Sequence, residues 1–187
     1  MRAALIVVDM VRDTLEGERT YPITRPARAI VPAINDLAEW LRARGMPVVF
    51  ACDSFLPGDF IFNSRLKEHS LRGTDGCRPS RLLEVADQDT VLYKRRFSAF
   101  FKTDLDQTLR TWGVECLLVG GISSHFCVLH TVLDGLCHDF RAVLLEDASA
   151  APSQEIHRAV LSHYRDNPLY PLLRVMTCEQ IKEGGLE

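Results

Sequence analysis

Three residues able to do acyl-transfer chemistry stand at the ends of apolar runs. An apolar run at 116–119 turns at Gly120 and Gly121 and passes through Ile122, Ser123, Ser124 and His125. It then enters a stretch where Phe126, Leu129, His130 and Leu133 recur at three and four residues. The spacing predicts a buried strand, a turn and a helix that carries those four on one face, with Cys127 in its first turn. Free amides and the dipole at a helix start favour an anion, so the Cys127 thiol is expected to fall in pKa and offer its thiolate. Strand–turn–helix is a recurrent way to raise a nucleophile to the rim of a sheet. Free cysteine is also a common inert core residue, so a catalytic reading needs partners. Asp9 closes the run 3–8, AALIVV, and Lys94 closes the short run 89–93. A carboxylate can take the thiol proton, and an ammonium holds that carboxylate ionised and stabilises a thiolate. The turn at 121–124 can offer backbone amides to an oxyanion. Such a set suits attack on a carbonyl or amidine carbon through a covalent intermediate. Neither a G-x-G-x-x-G nor a P-loop occurs, so phosphate chemistry has no motif here.

These groups must be positioned by the elements between them. The β-branched run 3–8 reads as a central parallel strand buried on both faces. Residues 10–18 read as a polar loop, and 26–44 as one helix striped by Ile30, Ala33, Ile34, Leu37, Ala38 and Leu41 and stopped by Gly45. A second strand, 47–52, ends in Asp53. An irregular stretch follows at 54–79, long enough to suggest a functional loop, and it holds His69. A third strand at 89–93 precedes a helix from about Thr103, an N-cap candidate with Asp106 three residues on. Strands at 141–145 and 172–176 and helices from Ser153 and near Cys178 complete the chain. Alternation of this kind predicts a single domain, 1–187 with its core at about 3–176. Its fold class is α/β: a three-layer α/β/α sandwich with a doubly wound, Rossmann-like parallel sheet. In such sheets all strand C-termini share one edge, so Asp9, Asp53, Lys94 and the approach to Cys127 should converge there.

Composition narrows the classes. The 187 residues carry 22 basic and 25 acidic side chains, a formal charge of −3, which gives no support for a nucleic-acid surface. Lys94-Arg95-Arg96 is too short a cluster for one and reads as a solvated strand end. No apolar run reaches membrane-span length, and the first apolar run is too short for a signal peptide. Six scattered cysteines without a C-x-x-C pair read as reduced thiols in a cytoplasmic protein.

Five segments carry a family resemblance: ALIVVDM, HSLRGTDG, KRRFSAFFKTDLDQTL, LLVGGISSHFCVLHTVLDG and LLEDASAA. Together they resemble the isochorismatase-like cysteine hydrolases, which include nicotinamidases, N-carbamoylsarcosine amidases and isochorismatases. The likeness spans about 3–176. It implies a six-stranded parallel sheet ordered 3-2-1-4-5-6 and a catalytic triad of Asp9, Lys94 and Cys127. It also implies an oxyanion hole from the amides of Ser123 and Cys127, with a cis Ile122–Ser123 bond to aim them.

Two departures matter. Nicotinamidases hold a metal through Asp-x-His and a later histidine. Here Asp53 and His69 match, but Phe55 stands where the middle histidine would be, so neither a metal nor another cofactor is expected. Val11 replaces a glutamine frequent in nicotinamidases. True isochorismatases tend to lack the cysteine, so Cys127 argues for C–N hydrolysis of a small amide, carbamoyl or ureido substrate. An isochorismatase- or nicotinamidase-type activity is the alternative, and a non-catalytic ligand-binding or scaffold protein is the rival from another class. Asp53, Phe55, His69, Phe97 and Phe126 are candidate substrate contacts, with Phe60 and Phe62 as further candidates for the pocket lining. Relatives of this kind form homodimers or homotetramers, for which Phe100-Phe101 offers an apolar contact.

Overall fold

The computed structural model describes residues 1–186. Six strands form one all-parallel sheet: β1 (Ala3–Val8), β2 (Val48–Asp53), β3 (Thr90–Lys94), β4 (Cys116–Ile122), β5 (Arg141–Ala150) and β6 (Leu173–Met176). Their order is β3-β2-β1-β4-β5-β6, the expected one. β1 is buried throughout. Its side chains alternate between two cores. Ala3, Leu5 and Val7 join one, and Ala4, Ile6 and Val8 join the other. Period-2 alternation into two apolar layers is why an uninterrupted apolar run makes a central strand.

Seven helices cover the two faces: α1 (Arg12–Leu15), α2 (Thr24–Ala29), α3 (Val31–Arg42), α4 (Leu105–Thr111), α5 (Cys127–Cys137), α6 (Gln154–Arg165) and α7 (Cys178–Lys182). The single helix expected over 26–44 is two, α2 and α3, because Pro32 sits in the first turn of α3. A proline has no N–H to continue the preceding helix and favours a helix start. The loop expected at 10–18 contains the single turn α1. The N-cap position of α4 is Asp104, one residue later than expected, and its side chain makes no capping bond; the Thr103 hydroxyl accepts from the Leu105 amide (3.4 Å) and donates to the Ala99 carbonyl (2.5 Å). α6 begins as expected, with Ser153 accepting from the Ile156 amide.

The face of α5 that carries Phe126, Leu129, His130 and Leu133 is not its buried face. Val128, Thr131, Val132 and Gly135 are buried, while Phe126 and His130 are exposed. Two of the buried residues, Gly135 and Thr131, suit a close helix–sheet approach. A Cβ on Gly135 would lie 2.4 Å from Leu117 Cδ1. The Thr131 hydroxyl donates to the Cys127 carbonyl (2.7 Å) and accepts from the Ala99 amide (3.0 Å), so its burial leaves no polar atom unpaired.

β5 runs five residues past its expected end and is bulged. Val119 lies opposite Leu144, but Gly121 lies opposite Ser149. All six cysteines are free thiols. Of the paired phenylalanines, Phe100 is core and Phe101 is half exposed. No helix among the described residues is long and apolar enough to cross a membrane.

Candidate active site

Register builds the site. Asp53 pairs directly with Lys94 across β2 and β3, and Val8, just before Asp9, lies between Ala51 and Gly121. The strand order therefore puts Lys94, Asp53, Asp9 and the β4 turn in a row along the C-terminal edge. The row ends between β1 and β4, where strand order reverses and doubly wound sheets bind ligands.

Lys94 is buried, and its Nζ donates to Asp9 Oδ2 (2.8 Å), Asp53 Oδ1 (2.6 Å) and the Arg96 carbonyl (3.0 Å). An ammonium has three donors, and all three are used. Asp9 Oδ1 accepts from the Asp53 amide (2.8 Å), so the carboxyl is held at both oxygens. Its backbone is left-handed, φ 54°, which turns the chain sharply out of β1. Arg95 and Arg96 are not a solvated strand end as expected. Both pair with the buried Asp59, at 2.9 and 3.1 Å, and so fix the segment that holds Lys94.

Cys127 opens α5, and its sulfur lies within 4.8 Å of carboxylate oxygens of both Asp9 and Asp53. Burial and the Asp9 and Asp53 charges push the Cys127 pKa well up, against the expectation that the helix start would lower it. Burial first, and Asp53 second, raise Asp9 to about 7 despite Lys94. At rest the proton stays on sulfur.

The turn after β4 supplies free donors. The Ile122–Ser123 bond is cis, as the resemblance implies. The Phe126 and Val128 amides donate to the Ser123 carbonyl (2.9 and 3.3 Å), and the Ser124 amide donates to the Ala150 carbonyl (2.8 Å). Among the described residues, the Ser123 and Cys127 amides have no acceptor. Gly121 makes the close approach possible. At φ +106°, a Cβ there would fall 2.1 Å from the Val8 carbonyl oxygen.

A cavity of about 180 Å³ opens above these groups. Asp9, Asp53, Ser123 and Cys127 line its floor, and Phe55, His69, Phe97 and Phe126 its wall, so the structure brings the candidates together. Phe60 and Phe62 are not in the lining. Phe60 is exposed to solvent, and Phe62 packs edge-on against Phe55 with ring centroids 5.2 Å apart. Sequence reading missed Thr14, Tyr21, Ile23, Ile61 and Leu66. Thr14, Tyr21 and Ile23 follow the first strand's C-terminal end, which was the available signal.

The donors do not suit a divalent metal. Asp53 Oδ1 is taken by Lys94, Phe55 has no donor, and His69 Nδ1–H donates to the Lys67 carbonyl (2.9 Å). The trio of Asp9, Asp53 and Cys127 already has an ammonium on both of its carboxylates.

The Isochorismatase domain family profile matches residues 3–180. An uncharacterised isochorismatase family protein of Bacillus subtilis, PncA, is 32% identical over 176 residues, covering 89% of this chain and 96% of that protein. A probable inactive nicotinamidase of Arabidopsis thaliana is also 32% identical, over 83% of this chain and 84% of the relative. The crystal structure of an N-carbamoylsarcosine amidase from Thermoplasma acidophilum superposes with a TM-score of 0.82 at 30% identity, covering 96% of this chain and 98% of that one. A profile match across almost the whole chain, a shared strand order and relatives covered nearly end to end agree: the chain belongs to the isochorismatase family of hydrolases.

Proposed function

We propose that the protein hydrolyses the C–N bond of a small, uncharged amide, carbamoyl or ureido compound, with Asp9, Lys94 and Cys127 as its catalytic residues. The observation that carries this is the meeting of a thiol and a high-pKa carboxylate within 4.8 Å on a cavity floor. Asp9 takes the thiol proton, and sulfur attacks the carbonyl carbon. The π pair moves to oxygen, which the Ser123 and Cys127 amides hold. The C–N bond then breaks, and the nitrogen leaves with the proton from Asp9. Water, deprotonated by Asp9, attacks the thioester carbonyl, the C–S bond breaks as the acid departs, and the Cys127 sulfur takes the proton back from Asp9. Lys94 keeps both carboxylates in place. No metal or cofactor enters a step.

The wall supports the uncharged substrate. Tyr21, Ile23, Phe55, Ile61, Leu66, Phe97 and Phe126 dominate it, and neither arginine nor any lysine lines it. An anionic substituent would lose its hydration there without a counter-charge. The relative described as an amidase supports C–N chemistry, while the Arabidopsis relative supports the rival reading of a non-catalytic ligand-binding protein.

Ammonia release across a panel of neutral and carboxylate-bearing amides and ureido compounds tests the reading, and neutral members should be favoured. Iodoacetamide should alkylate Cys127 with Asp9 as base, so Asp9→Asn should slow the reaction. A panel without turnover, together with an inert Cys127, refutes the enzyme. We further propose that the chain works in the cytoplasm, on the strength of its free thiols, and as a dimer or tetramer, with Phe101 available for the contact. Light scattering at the mass of one chain would refute the assembly.

A further inference from the structure

We propose that His157 is a positioning residue for the amide-donating turn and acts through the Ser124 hydroxyl; the inference rests on the hydrolase reading above. His157 lies on α6, almost fully buried, and is not part of the cavity lining. Its Nε2 is 3.0 Å from the Glu146 carbonyl oxygen. A carbonyl only accepts, so Nε2 carries the hydrogen. Nδ1 is therefore the acceptor, and the Ser124 hydroxyl, 3.0 Å away, donates to it. Burial lowers the His157 pKa, so the ring is neutral at pH 7 and keeps this tautomer.

Ser124 is fully buried and adjoins Ser123, whose amide is the proposed oxyanion donor. Two bonds tie Ser124 to its surroundings: its amide to the Ala150 carbonyl (2.8 Å) and its hydroxyl to His157. Glu146 belongs to the bulged stretch of β5 that has no partner opposite in β4, so its carbonyl takes its hydrogen bond from the ring. One side chain thus links α6, the bulge and the turn. If the ring is removed, a buried hydroxyl and a carbonyl lose their partner, and the turn can satisfy them only by moving. A shift of about 1 Å at a positioned group costs on the order of 10²-fold in rate. Neither His157 nor Ser124 lies in the cavity lining, so their effect passes through the position of the Ser123 amide.

Three probes separate this role from general loosening. The first is turnover of whichever amide the parent protein hydrolyses. The second is benzaldehyde as a reversible inhibitor. The thiol adds across its C=O, the C–S bond forms, and the π pair becomes an oxygen anion in the same hole or takes the thiol proton through Asp9. The third is alkylation by iodoacetamide, which reads the thiol and needs no oxyanion donor.

Ser124→Ala and His157→Ala should each lower kcat and benzaldehyde affinity by roughly 10-fold or more. KM and the alkylation rate should stay within about twofold, and the double variant should be no worse than the poorer single one. His157→Asn, which keeps an acceptor close to the Nδ1 position, should recover part of kcat. Additive losses in the double variant, a parallel fall in alkylation, or unchanged kcat would overturn the proposal. If His157→Ala does not fold, Ser124→Ala and His157→Asn carry the same comparison. If the parent turns over no amide, the benzaldehyde adduct decides alone. If the parent also forms no adduct, the hydrolase reading and this inference fall together. Loss in the variants of an otherwise active enzyme concerns His157 only.

Discussion

The floor and the wall of the cavity are built by different means. The floor comes from the ends of strands: Asp9 follows β1, Asp53 ends β2, Ser123 follows β4 and Cys127 opens α5, while the buried Lys94 at the end of β3 bonds both carboxylates without lining the cavity. Parallel hydrogen bonding sets their spacing, and all three hydrogens of Lys94 Nζ have an acceptor. Much of the wall comes from loops: Phe55, Ile61, Leu66 and His69 from the stretch after β2, and Tyr21 between α1 and α2. It is held by ring packing, such as Phe55 against His69 at 5.4 Å, with few directional bonds. The contrast teaches that reaction chemistry is tied to the sheet, whereas substrate choice is left to packing that can vary without disturbing it.

The comparison breaks if floor substitutions act like wall substitutions. Cys127→Ala and Asp9→Asn should each reduce turnover roughly 10⁴-fold or more while the protein stays folded, read by single-turnover rates and circular dichroism. Retention of the parent rate by Cys127→Ala would end the covalent mechanism.

Lys94→Met should be the most damaging to stability. It leaves two carboxylates facing each other without their ammonium, a loss of about 3–5 kcal/mol in urea unfolding. A loss below about 1 kcal/mol, the range of an exposed pair, would mean the cluster is not the anchor of the floor.

Asp53→Asn sharpens the picture through pH. Asp9 must be ionised to act as base, so kcat/KM should rise with pH through about 7. The Asp53 charge raises the Asp9 pKa, so removing it should move that limb to lower pH. A limb that stays in place or moves upward contradicts the assignment of Asp9 as base.

On the wall, Phe126→Ala should raise KM by roughly 10-fold, about 1.4 kcal/mol, with kcat little changed. A fall in kcat alone would place Phe126 with the floor. The smallest effect is expected from metal: added zinc and added chelator should both leave activity unchanged, and elemental analysis should find zinc well below one per chain. Stoichiometric zinc lost together with activity would contradict the donor geometry at Phe55 and Lys94.

Much of this molecule follows from local pattern. The run AALIVV can only be a strand with apolar layers on both sides, and alternating runs and helical stripes give a doubly wound sheet. That topology alone brings Asp9, Lys94 and Cys127 to one edge, because parallel strands all end on the same side. The resemblance supplied the strand order, the cis bond and the pairing of roles. Tertiary structure decided what depends on neighbours distant in the chain. Local spacing placed Phe126, Leu129, His130 and Leu133 on one face of α5 without saying which face is buried; close approach to β4 and a hydrogen-bonding partner at Ala99 put Gly135 and Thr131 inside. Local reading lowered the Cys127 pKa through its helix start. Burial first, and then carboxylates from other strands, raise it, since desolvation and a nearby buried charge outweigh a partial dipole. The tie from Ser124 through His157 to Glu146 had no sequence signal at all. It exists because the bulge in β5 leaves a carbonyl without a strand partner, and a side chain from α6 reaches it.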